Sequence, residues 1–166
     1  MSEIQLSAHG ITTRLPRGWE GRIRRRDPQL GGPGERGKPQ FHPEERTYPI
    51  AHFANFPLPA DVADYGSGAV ELMTRSNLFI VLLEFGPESV GKALFATQGL
   101  PRNLSPDLFT PNQLQRTIRG QGGYQTFFTE AGRPFCLFIA LGSYANRAAL
   151  IRKANAVLAA TTITPR

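Results

Sequence analysis

The chain has 166 residues, 40% hydrophobic and 19% charged, a balance that excludes wholesale disorder and provides apolar surface for one buried core. A single cysteine, Cys136, excludes an intrachain disulfide framework and any multi-cysteine zinc or iron–sulfur site. The net charge is +6, all but three of the 19 basic residues (Lys38, Lys92, Lys153) being arginine, and such a surplus favours acidic partners.

In chain order, Ile4–Ala8 and Ile11–Leu15 read as strands, and Pro16-Arg17-Gly18 as a turn. Trp19–Arg25 is a third strand. Successive side chains of a strand point to opposite faces, so Trp19 and Ile23 are expected inward and Arg22, Arg24 and Arg26 outward as a solvated row. Residues 27–46 are rich in Gly and Pro, and Gly31-Gly32-Pro33-Gly34 breaks any regular element. A flexible loop is expected there. Tyr48–Leu58 is extended, with Ile50, His52, Ala54 and Phe56 on one face, until Pro57 and Pro59 end it.

Asp64–Thr74 is expected as a short helix, capped by Asp64 or Ser67, with Ala69, Val70 and Met73 apolar. Asn77–Phe85 is apolar on both faces and reads as a central strand. Residues 86–123 carry scattered prolines and permit only short elements. Pro111–Leu114 as a helical turn and Leu114–Ile118 as a strand both stay open. Tyr124–Thr129 and Phe135–Leu141, joined by a glycine-bearing loop, form a hairpin. Tyr144–Ala160 is an amphipathic helix with Ser143 as its N-cap, and Thr161–Ile163 is a short last strand. The expectation is a single α+β domain over residues 1–166, a mostly antiparallel β-sheet packed against the C-terminal amphipathic helix.

No motif with assured chemistry stands out. Gly66-Ser67-Gly68 and Gly120–Gly123 lack the strand–loop–helix setting and the Lys-Ser/Thr end of a phosphate loop, so turns explain them. Cys136 lies in an apolar strand and is expected buried and inert. His9, His42 and His52 match no local metal-ligand spacing, and Asp61 and Asp64 suit capping and turn formation. No catalytic set, cofactor or metal is expected.

The Leu15–Trp19 segment, LPRGW, followed by sheet-forming stretches and closed by hairpin, amphipathic helix and short strand, resembles PsbP-like domains. That resemblance implies an α/β/α sandwich serving as a binding or assembly-supporting module, and it carries no catalytic residue to any position here. The chain is also similar to Arg/Ala-rich proteins of high-GC bacteria.

Three functions follow as expectations. The first is a non-enzymatic protein–protein interaction or assembly accessory, self-associating as a homodimer or meeting another protein, through exposed Phe53, Phe56, Leu58, Phe95, Leu108 and Phe109. The second is nucleic-acid or polyanion binding through Arg22, Arg24 and Arg26. The third is a small-ligand binder or enzyme with a pocket near Asp61, Asp64, Tyr65 and His52. No apolar run reaches the roughly 20 residues needed to cross a bilayer. With no secretory signal at Met1–Gly10, a cytoplasmic location without membrane insertion is expected.

Overall fold

The computed structural model describes residues 3–26 and 47–166; the loop expected at 27–46, with His42, lies outside them. Short runs of β-branched and aromatic residues, punctuated by glycine turns, organise these residues into eight strands. Strands β1 (Ile4–Ala8), β2 (Ile11–Leu15) and β8 (Thr162–Ile163) make a three-stranded sheet in the order β1-β2-β8. Strands β3 (Glu20–Arg25), β4 (Pro49–Ala54), β5 (Leu78–Glu84), β6 (Gly122–Glu130) and β7 (Arg133–Leu141) make a five-stranded sheet in the order β3-β4-β5-β7-β6. All strand pairings are antiparallel. Helix α1 (Arg147–Ala159) is the single α-helix among the described residues, so the fold is α+β.

The alternation of side chains gives the large sheet two apolar faces. Phe53, Ile80, Leu137 and Ile139 point to one face, where they meet Ile11 and Leu15 of β2 and Leu150, Ile151, Val157 and Leu158 of α1. Each of those large helix side chains is almost fully buried, and each such burial stabilises the fold by about 1.5–3 kcal/mol. Ile50, Phe79, Val81, Leu83, Cys136 and Phe138 point to the other face, under Phe56, Leu58, Val62 and Ala69. β5 therefore lies in the middle of the sheet with both faces covered, as its unbroken apolar run requires.

The second face departs from expectation. Asp64–Thr74 is not a helix: only Val70–Leu72 forms a single 3-10 turn. Gly66 and Gly68 adopt φ of +94° and +97°, a left-handed backbone that ends any α-helix. The layers are thus α1 with the small sheet, the large sheet, and a loop layer where a second helical layer was expected. Ser143 does not cap α1 itself. Its Oγ accepts from the Asn146 N–H at 3.1 Å, and the helix begins at Arg147 behind Asn146. Residues 111–118 form neither of the two elements left open for them.

Five of the six residues expected on an exposed apolar surface are buried: Phe53, Phe56, Leu58, Phe95 and Phe109. Phe53 lies within β4 and faces the core under β2 and α1, and Phe56 and Leu58 pack on the other face of the sheet. Phe95 packs on Phe85 and Phe127 at 5.3 and 5.6 Å, and Phe109 on Tyr124 at 5.4 Å. Leu108 alone is exposed, at 43%. Among the described residues no helix is long and apolar enough to cross a membrane.

Candidate functional site

The loop layer encloses a cavity of about 600 Å³. One wall is the segment Ala63–Glu71, the other is Leu114–Arg116, and Phe138 of β7 contributes from the sheet face below. The loop conformation comes from its own bonds. Gly66 N–H donates to Ala63 O at 2.8 Å, and Ala63 N–H to Ser67 O at 2.9 Å. A Cβ on Gly66 would meet the Phe79 ring at 2.8 Å, and one on Gly68 would meet Asp61 O at 2.7 Å. Glycine is required at both positions for sterics and for φ. Gln121 anchors the far end: its Nε2 donates to Val70 O at 2.9 Å, while its buried Oε1 finds no donor among the described residues.

The expected arginine row holds this loop in place. Arg22 donates to Leu58 O and Pro59 O at 2.9 and 2.5 Å, and Arg24 to Val62 O at 3.4 Å. Arg26 donates to Glu84 O at 3.1 Å and lies 3.7 Å from Asp64 Oδ2. The row is therefore half-buried beneath residues 58–64 and not an open solvated face. Strand parity puts these arginines on one face, as expected, but carbonyls of the loop crossing above them replace water. Such charge-assisted bonds fix the loop more firmly than neutral ones would.

Of the residues expected to surround a pocket, Asp64 and Tyr65 line it. His52 lies beneath them, 2% exposed, with Nε2 3.1 Å from Asp64 O. A carbonyl only accepts, so Nε2 carries the proton. Burial lowers the His52 pKa, Arg24 and Arg22 adding to the effect, and the ring is neutral near pH 7. Asp61 is exposed and does not line the cavity.

The floor is apolar and aromatic. Tyr65 meets the Phe138 ring edge-on, with centroids 5.7 Å apart at 85°. Burial raises the Tyr65 pKa, as does Cys136 beside it, so the phenol is a neutral donor and acceptor. Cys136 is fully buried and accepts from Gln125 Nε2 at 3.4 Å. Burial also raises the pKa of its thiol, keeping it protonated and a poor nucleophile. The expectation of an inert cysteine agrees with this setting.

The rim is polar. Glu71 accepts from Gly68 N–H at 2.8 Å and lies 3.6 Å from Arg116. Its carboxyl is held below the usual carboxylate range, first by a bond from its own backbone N–H and then by the Gly68 N–H and Arg116. Ser67 and Gln115 add neutral polar groups. The arrangement has an apolar body and a mixed-charge mouth, in which the carboxylates of Asp64 and Glu71 lie near Arg26 and Arg116 and the Ser67 hydroxyl donates to Glu71 Oε1 at 3.5 Å. Among the described residues no group of three His, Cys, Asp or Glu side chains could hold a metal ion.

Sequence pattern alone does not mark Glu71, Val70, Leu114, Arg116 and Phe138 as site residues. Leu114 and Arg116 sit in a stretch without periodicity, and Phe138 looked like ordinary core; only the tertiary fold brings them to Tyr65. No family model, curated protein or solved structure matches the chain.

Proposed function

We propose that the protein is a ligand-binding module whose pocket at Ala63–Glu71 takes a compact amphipathic molecule. The observation that carries this reading is the cavity itself. About 600 Å³ between an aromatic floor and a polar rim lies within the range of about 300–1,000 Å³ usual for small-molecule sites. The ligand places its apolar body against Tyr65, Val70, Leu114 and Phe138, and its polar end meets Ser67, Glu71 and Arg116. Binding is favoured over catalysis because the only thiol is buried and protonated and the carboxylate of Glu71 is engaged by its neighbours.

Ala63 lines the mouth and is exposed, so Ala63→Trp plugs the pocket without entering the core. A ligand-observed NMR screen with small aromatic and aliphatic fragments tests the reading. Hits that bind the native chain should lose most of their saturation transfer with Ala63→Trp. A screen without hits, or hits indifferent to the plug, would reject the pocket as a ligand site.

A second reading, contact with another protein or a second copy, is supported by Leu72, which is 61% exposed next to Glu71 on the rim, and by Leu94 and Leu108 at 59% and 43%. We propose a cytoplasmic location, supported by the single cysteine of the sequence, which allows no intrachain disulfide and suits a reducing compartment.

A further inference from the structure

A second concavity, of about 280 Å³, shares no lining residue with the first. It lies where the His9–Gly10 turn meets the last residue of β3, the first of β4, the last of β5, the first of β7 and the C-terminal Pro165–Arg166. Glu84 is at its base, fully buried. Arg133 clasps that carboxylate in a two-point bond, Nε to Oε1 and Nη2 to Oε2, each at 2.9 Å. Two of the remaining Arg133 donors reach Thr164 O at 2.9 Å and His9 O at 2.8 Å. That guanidinium is largely engaged, through four of its five N–H groups.

The other two arginines are not. Arg166 bonds Glu84 Oε1 through Nη2 and lies over the Tyr48 ring, 4.6 Å from its centroid, with its side chain 48% exposed. Its remaining N–H groups have no acceptor among the described residues. Arg25 is exposed and makes no side-chain bond to any described residue. Among the described side chains that line it, three guanidinium groups stand against one carboxylate, which leaves positive charge in excess around one hollow. Positive charge gathered in a concavity focuses the field and raises the local concentration of anions.

We propose that this cavity is an oxyanion site that takes a phosphate group, free or as a phosphomonoester. The surplus of guanidinium groups among the described lining residues attracts an anion, and the tetrahedral oxygens of phosphate accept from several directions at once. Arg25 and Arg166, whose guanidinium groups keep donors without an acceptor among the described residues, supply two of these, and Thr47 and His9 line the same cavity. A carboxylate is the poorer fit because its two coplanar oxygens suit one guanidinium fork, the role Glu84 already fills for Arg133.

The test is thermal unfolding of the intact chain at low ionic strength, titrated with inorganic phosphate and, separately, with glycerol phosphate. Chloride at matched ionic strength is the control, since screening alone also moves exposed charges. Either phosphate species should raise the melting temperature saturably. Arg25→Ala should weaken the apparent affinity about tenfold or more, as expected when a charge-assisted contact is lost, and Arg25→Lys should restore part of it. Ala63→Trp should leave the phosphate response unchanged, which separates this site from the first pocket. A response absent for both phosphates, equal with chloride, or unaltered by Arg25→Ala would overturn the proposal.

Discussion

His52 is a polar side chain in an apolar layer, and its energetics follow from one bond. The ring packs on Phe79 with centroids 5.1 Å apart, and its Nε2–H reaches the Asp64 carbonyl. Neutral imidazole fits this environment, whereas the imidazolium must give up water beside Arg24 and Arg22. The folded-state pKa therefore lies below the ordinary 6.5. Between those two values the unfolded chain binds more protons than the folded one, so stability falls as pH drops. The contribution is intact above pH 6.5 and is lost as pH descends toward the folded-state pKa, by at most about 1.4 kcal/mol per pH unit. Urea denaturation at pH 7.5 and 5.5 should show this loss in the native chain. It should be smaller in His52→Asn, which keeps a side-chain N–H donor but does not titrate. Equal acid sensitivity in the two proteins would place the effect elsewhere.

At the scale of elements, the two hairpins β1–β2 and β6–β7 close through two-residue turns of the same kind. His9-Gly10 has φ of +53° and +76°, and Ala131-Gly132 has +54° and +72°. Both central residues are left-handed, the geometry that Asn-Gly satisfies best and that a Cβ without a local hydrogen bond resists. Ala131→Asn should therefore stabilise the protein by about 1 kcal/mol, read as a rise in melting temperature without loss of cooperativity; a fall would show that the turn is not what limits this hairpin. The β6–β7 hairpin is legible in the sequence because apolar runs flank a glycine-bearing loop, β1 and β2 are legible as strands though not as a hairpin, and the apolar periodicity of Leu150, Ala154, Val157 and Leu158 marks α1 equally well. Asp64–Thr74 misled because its helical spacing is real while its two glycines outweigh it. The arginine row misled differently. Strand parity tells which side chains share a face, but not that a segment nearly 40 residues later will cross that face and present Leu58, Pro59 and Val62 carbonyls to it.

For the whole molecule, the large sheet separates a densely packed apolar core on the α1 side from a loop-covered face that keeps a cavity, and rigidity and access are thereby assigned to different sides. The two sheets are joined through hydrophobic contact and through polar links that no local pattern announces. Arg102 bonds Glu130 of β6 and the Thr161 carbonyl beside β8. Arg133 starts β7, holds Glu84 at the end of β5, and also bonds the carbonyls of His9 and Thr164, which flank the small sheet. Both members of the pair are almost wholly buried. A buried pair of this kind does not compare favourably with apolar residues of equal size, but removal of one member leaves a charge stranded without water. Arg133→Met should accordingly destabilise the fold by about 3–5 kcal/mol, with Arg166 offsetting only part because its side chain is half-exposed. Adding Glu84→Gln removes the stranded charge and should recover a measurable share of the loss, a positive coupling in a double-mutant cycle. Additive losses in chemical denaturation would mean that the two groups do not act as a unit. In that case the junction between the sheets would rest on the Arg102 link and on apolar packing of β2 and α1 against the large sheet, and the fully buried Glu84 would need another source of compensation.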